Sequence, residues 1–147
     1  MITEEQYPKI YLYHRIVQAK LFIDSHYADP INIDDTAGEA AFSKFHFIRL
    51  FRSVYGKTPH QYLIGVRVEK ARLMLQQSAG VTETCYAVGF DSIGSFSLLF
   101  KKIIGQSPQV YRQSELKRTE AIKEKPLNFI PNCFAEKKGW VQNSNSQ

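Results

Sequence analysis

Residues 47–62 read FIRLFRSVYGKTPHQY, and residues 96–111 read FSLLFKKIIGQSPQVY. Phe47, Leu50, Phe51, Arg52, Val54, Gly56, Thr58, Pro59 and Tyr62 each have an identical or equivalent residue 49 positions later. Upstream, Thr36-Ala37 and Phe42 match Thr84-Cys85 and Phe90 at an offset of 48, so the second copy carries one inserted residue. A match of this length identifies an internal duplication, which settles the architecture before any single residue is interpreted.

Each copy reads as helix, tight turn, helix. In the first, Asn32 or Asp34 caps a short helix ending near residue 40, with Ile33 and Ala37 inward. Ala41-Phe42 supplies the turn, and Ser43 caps a second helix that runs to Tyr55. Phe47, Leu50, Phe51 and Val54 form its apolar stripe. In the second copy, Val81, Cys85 and Val88 face inward, Gly89 makes the turn and Ser92 caps a helix reaching Ile104. Phe96, Leu99, Phe100 and Ile103 repeat the stripe.

The recurring G-x-[ST]-P-x-x-Y is then a stop and a restart. Gly56 and Gly105 end one helix, Thr58 and Ser107 cap the next, and Pro59 and Pro108 take its first position. Tyr62 and Tyr111 are expected as half-buried anchors, rings inward and hydroxyls outward. A long helix over 59–77, with Leu63, Val66, Leu73 and Leu75 as its apolar set, connects the copies. Its 17 to 19 residues span roughly 25–29 Å, comparable with the separation of about 34 Å between successive major-groove entries on one DNA face. An earlier helix over about 8–27, with Ile10, Ile16, Val17 and Ile23 inward, closes the first unit.

Charge is distributed unevenly along the 147 residues. Residues 1–42 hold three basic and seven acidic side chains, whereas residues 43–75 hold seven basic ones against Glu69. Residues 92–112 add Lys101, Lys102 and Arg112 with no acid. Two basic runs after an acidic start point to a polyanion-binding face. The histidines and the two cysteines, Cys85 and Cys133, show no metal-ligand spacing, and no nucleophile elbow or phosphate loop occurs. These absences argue against an enzyme, and no cofactor is expected. Neither an 18-residue apolar run nor a signal peptide is present, so the expected location is the cytoplasm, away from any membrane.

SKFHFIRLFRSVYGKTPHQYLIGVRVEKARLML (residues 43–75) and AVGFDSIGSFSLLFKKIIGQSPQVYR (87–112) closely resemble the DNA-binding domain of the AraC/XylS family of bacterial transcription regulators. The signature V-G-F-x-S-x-x-S-F-x-x-x-F-K-x-x-x-G-x-[ST]-P-x-x-Y-R stands at 88–112, and the resemblance covers about residues 8–113. It implies an all-α fold of about seven helices, with two homeodomain-like helix-turn-helix units joined by a linker helix. The chain then divides into 1–57 (N-terminal helix and first unit), 58–78 (linker helix), 79–113 (second unit) and 114–147 (an extension of unassigned role). The resemblance also implies sequence-specific binding of promoter DNA and recruitment of RNA polymerase, usually as an activator. The stretch before the first unit leaves no room here for a small-molecule effector domain, as in the smaller class made of the DNA-binding module alone.

A recognition helix reads bases with its N-terminal half. The matching positions are Phe45, Ile48 and Arg49 in the first unit, and Ile93, Gly94, Ser95 and Leu98 in the second. Arg49 suits a bidentate contact with guanine, and Phe45 a thymine methyl. Many family members carry Arg or another polar residue where Leu98 stands, so the second unit is expected to add affinity while the first discriminates. His46 is either a phosphate contact or a neighbour of Tyr62. Expected phosphate contacts are Ser43, Lys44, Arg52, Lys57, Gln61, Arg67, Ser92, Lys101, Lys102, Gln109 and Arg112. Arg67 and Arg72 have a second reading as partners of Glu69, Glu39 or the core edge. The alternative function is a protein-binding adaptor on the same scaffold.

Overall fold

Alternation of amphipathic runs with Gly, Ser/Thr and Pro punctuation yields helices and nothing else among the residues described by the computed structural model, 6–32 and 44–126. They are α1 (Gln6–His26), α2 (Lys44–Tyr55), α3 (Pro59–Gln76), α4 (Val81–Ala87), α5 (Ile93–Ile104) and α6 (Pro108–Glu124). The short helix expected near 34–40, its turn, the Ser43 cap and the extension beyond residue 126 lie outside the described residues.

Both restarts form as the local chemistry dictates. Gly56 and Gly105 sit at φ +74° and +95°, closing the last turns of α2 and α5. Thr58 Oγ1 accepts from the Gln61 N–H at 3.2 Å while Gln61 Oε1 accepts from the Thr58 N–H at 3.0 Å, a reciprocal cap on α3. Ser107 caps α6 through the Val110 N–H, and Pro59 and Pro108 are buried at the starts of their helices.

Two cores result, one for each unit. Ile16, Ala19 and Ile23 of α1, Phe47 and Phe51 of α2 and Leu63 of α3 form the first. Val68, Ala71 and Leu75 of α3, with Cys85, Val88, Phe90, Phe96 and Phe100, form the second. Helix α3 therefore serves both. Its second-core residues lie roughly 80–140° around the axis from Leu63, at 100° per residue. A single stripe of Leu63, Val66, Leu73 and Leu75 does not describe such a helix. Leu73 is exposed, Val66 is half-buried, and Val68 and Ala71 are the residues that fill the second core. In α1, likewise, Ile16 and Ile23 are buried but Ile10 and Val17 face outward, and Ala19 completes the inner face. The i, i+4 pairs Phe47/Phe51 and Phe96/Phe100 are buried as expected, with Leu50 and Leu99 half-buried and Val54 and Ile103 at the open edge. Burial pushes the Cys85 thiol pKa up, which disfavours the thiolate.

Duplication persists in three dimensions. Phe51 meets Tyr62 edge-on at 5.8 Å, and Phe100 meets Tyr111 edge-on at 5.6 Å. The hydroxyls, however, point into the structure rather than out of it. Tyr62 Oη donates to Asp24 of α1 at 2.6 Å, and Tyr111 Oη accepts from Gln76 of α3 at 2.8 Å. Helix α1 thus does for the first unit what α3 does for the second, which explains why a helix is needed before the first repeat.

Candidate nucleic-acid interface

A recognition helix needs a buried rear face, so that its front face can be held rigidly outward. Phe47 and Phe51 fasten α2, and Phe96 and Phe100 fasten α5. The opposite stripes correspond at the 49-residue offset: Phe45, Arg49 and Arg52 on α2, Gly94, Leu98 and Lys101 on α5. All six are exposed. Phe45 is 73% exposed and Leu98 74%, the two most exposed large apolar side chains among the described residues. Folding gains nothing from placing Phe and Leu there.

The predicted base readers divide. Arg49 is exposed, with Nε 3.4 Å from its own helix's Phe45 carbonyl. Ile48 is half-buried against the first core and offers only part of its side chain. On α5, Ser92 caps the helix by accepting from the Ser95 N–H at 3.2 Å, and Ile93 and Ser95 are exposed. Space is open around Gly94, where a Cβ would meet nothing within 4 Å, so bare backbone is presented at the head of α5.

Phosphate candidates divide as well. Lys44, Arg52, Lys57, Lys101, Lys102 and Gln109 are exposed. Gln61 commits its amide oxygen to the cap on α3, which leaves the Nε2 side of the amide as its donor. Lys57, Gln61 and Lys102 line one open cleft of 430 Å³ between α3 and α5, floored by Ile64, Leu99 and Ile103. Donors from both units are thereby brought to one surface, a proximity that spacing along the chain does not reveal. His60 joins them there and was not among the sequence candidates. His46 is exposed beside Arg49 and Ser53 on the outer side of α2.

Two arginines expected at phosphates donate to backbone carbonyls in this structure. Arg112 Nε donates to the Ala79 carbonyl at 2.9 Å and its Nη2 to Ser78 at 3.1 Å, bracing the α3–α4 loop where Ser78 adopts φ +69°. Arg67 donates to the carbonyls of Tyr27 and Asp29 at 2.6 and 3.0 Å. Burial pulls its pKa down and the Asp91 carboxylate opposes the shift. The charge of each is directed at carbonyl oxygens, because a planar fork of donors is the group best suited to bind paired acceptors. Arg72 pairs with Glu69 at 2.9 Å and also reaches Tyr111; these contacts hold its pKa well above the ordinary value.

Among the described residues, no helix is long and apolar enough to cross a membrane, and no group of three or more side chains could hold a metal ion.

A family model for a helix-turn-helix domain matches residues 36–114. An uncharacterized HTH-type transcriptional regulator of Bacillus subtilis, YdeC, is 33% identical over 101 residues, 68% of this chain and 35% of that protein. The HTH-type transcriptional activator RhaS of Escherichia coli O1:K1 is 36% identical over 93 residues, 63% of this chain and 34% of its own length. Among solved structures, the DNA-binding domain of AdpA, a global transcriptional factor captured with a target DNA, aligns with a TM-score of 0.64 at 28% identity. That alignment covers 76% of this chain and 96% of that one. The chain spans between 30% and 59% of the first curated relatives it matches.

Proposed function

The chain belongs to the AraC family of helix-turn-helix DNA-binding transcription regulators, and from that premise we propose that it binds promoter DNA sequence-specifically through both units. Helices α2 and α5 enter successive major grooves on one face of the duplex. The observation that carries this reading is the pair of matching outward stripes, each combining a largely exposed apolar side chain with a cation. A helix of 18 residues between the units spans about 27 Å, which with the offsets of the two units suits adjacent grooves. Arg49 reads guanine. Phe45 and Leu98 pack on thymine methyls, and Ile93, Gly94 and Ser95 let the head of α5 approach closely.

Lys44, Arg52, Lys57, Lys101 and Lys102 neutralise phosphates, assisted by Gln61, Gln109 and the capped helix starts. The first unit supplies most of the discrimination, because α5 offers no bidentate reader. The regulator acts in the cytoplasm as an activator that engages RNA polymerase; the likeness to RhaS, an activator by name, supports this direction.

Selection of bound sequences from a random duplex pool, followed by base substitution under each unit, tests the reading. A defined site whose affinity falls most for changes under α2 is expected. Absence of a preferred site would overturn sequence-specific binding, and larger losses under α5 would overturn the division of labour. Strong duplex binding that vanishes on Arg49→Ala combined with Lys101→Ala would exclude the adaptor reading.

A further inference from the structure

One tie between the units does not run along α3. Arg67, at the middle of that helix, reaches back to the loop after α1 and bonds two of its carbonyls, those of Tyr27 and Asp29. The same loop abuts the α4–α5 turn of the second unit. A Cβ built on Gly89 would stand 2.9 Å from the Tyr27 oxygen, 3.0 Å from the Ala28 oxygen and 3.0 Å from Arg67 Nε. Gly89 is at φ +102°, so both its conformation and its surroundings require glycine. Phe90, the next residue, lies with its ring 5.9 Å from the Arg67 guanidinium. Tyr27 packs against both cores, and the Lys70 ammonium sits 5.6 Å over its ring. A segment of the first unit is therefore clasped between α3 and the turn that leads straight into α5.

Resting on the proposed insertion of both recognition helices, we infer that Arg67 is a positioning residue that fixes the phase of α5 relative to α2. The chain accordingly reads the spacing between its two half-sites as well as their sequence. Moving one half-site by one base pair displaces it by about 3.4 Å along the axis and turns it by about 35° around it. A continuous helix alone can bend gently. A seam in which two backbone oxygens and the Arg67 Nε crowd the place a Gly89 Cβ would take leaves little room to follow such a shift, because packed contacts are not continuously deformable. Lysine at 67 would keep the charge but lose the two-pronged grip.

The test uses the full chain and duplexes bearing the selected site at its native spacing, one base pair shorter and one base pair longer, plus a duplex with the first half-site alone. Wild type should lose about 30-fold in affinity at either altered spacing, the scale of one mismatched contact. Arg67→Ala should cut that penalty to about 3-fold while leaving single half-site affinity within about 2-fold, and Arg67→Lys should fall between. Residual dipolar couplings give a readout without DNA: both units of wild type should fit one alignment tensor, and those of Arg67→Ala two. If Arg67→Ala does not fold, Arg67→Lys, which keeps the charge and the aliphatic stem but loses the two-pronged grip, takes its place. An undiminished spacing penalty in the variant, a wild type indifferent to spacing, or a variant whose units still share one tensor would each overturn the inference. If wild type shows no salt-sensitive duplex binding, the DNA reading itself fails, and the tensor comparison still decides whether Arg67 locks the units.

Discussion

Salt dependence separates the cations that touch DNA from those that hold the fold. With Arg49 set aside as the base reader, the exposed cations on the two recognition helices and the turn after α2 are Lys44, Arg52, Lys57, Lys101 and Lys102. Five phosphate contacts give a slope of about −4.5 in log K against log salt, a loss of about 500-fold between 50 and 200 mM. Were Arg67 and Arg112 also on phosphates, the slope would be about −6.3 and the loss about 6000-fold. Lys101→Ala combined with Lys102→Ala should reduce the slope by about 1.8, leaving a loss of about 40-fold over the same range. Arg112→Gln should leave the slope alone and lower stability instead, by about 1–3 kcal/mol, because two carbonyls of the α3–α4 loop lose a charged donor. Fluorescence anisotropy over a salt series reads the slopes, and urea unfolding reads the stability. A shallower slope in Arg112→Gln with no change in stability would refute the assignment of Arg112 to the fold. An unchanged slope in the double lysine variant would refute the interface.

Other expectations rest on single contacts. Arg49→Ala should cost about 1–3 kcal/mol of discrimination at one base pair under the first unit and leave non-specific binding nearly unchanged, as competition with mutated duplexes will show. Phe51→Ala and Phe100→Ala should each cost about 3–5 kcal/mol in urea unfolding, since each ring is fully buried and also supports a tyrosine of the repeated motif. Burial raises the pKa of the Asp24 carboxyl, but hydrogen bonds from Lys20 and Tyr62 outweigh it and hold the group below its ordinary value. Its contribution is therefore complete above about pH 4 and disappears as pH falls through the lower folded value, a loss of Tm that Asp24→Asn should lack. Tyr62, pushed up to about 12 by burial and by Asp24, should cost stability as pH rises from about 10 to 12, and Tyr62→Phe should abolish that alkaline limb.

Local punctuation carried most of the fold. Gly, Ser/Thr and Pro at 56–59 and 105–108 act within one turn of chain, so their consequences depend on neighbours that the sequence displays directly. The buried phenylalanine pairs were equally legible, because an i, i+4 spacing on a helix flanked on one side admits one inner face. Helix α3 was not legible in the same way, since it meets two cores and no single stripe describes it. The carbonyl contacts of Arg67 and Arg112 were hidden for a related reason. Their charges suggest phosphate, and only the folded chain brings carbonyls 33 to 40 residues away within reach of their donors. The cleft that joins Lys57 to Lys102 is a tertiary proximity of the same kind.

Duplication also explains where the two units part company. Asp24 and Arg72 stand at the 48-residue offset, one on α1 and one on α3, and each meets the tyrosine of its own unit. In the first unit the hydroxyl donates to a carboxylate; in the second it accepts from a guanidinium and an amide. A hydroxyl can serve in either direction, so the anchor survives an exchange of charge beneath it. The reading face has no such tolerance. Arg49 offers a planar fork of donors and Leu98, its counterpart at the 49-residue offset, offers none. Divergence inside the scaffold was absorbed by a group that donates and accepts, while divergence at the surface changed what each helix can recognise. The second unit can therefore remain a faithful structural copy of the first while presenting no planar fork of donors at this position. A leucine three-quarters exposed on α5, fixed from behind by Phe96 and Phe100, retains shape and methyl contact alone.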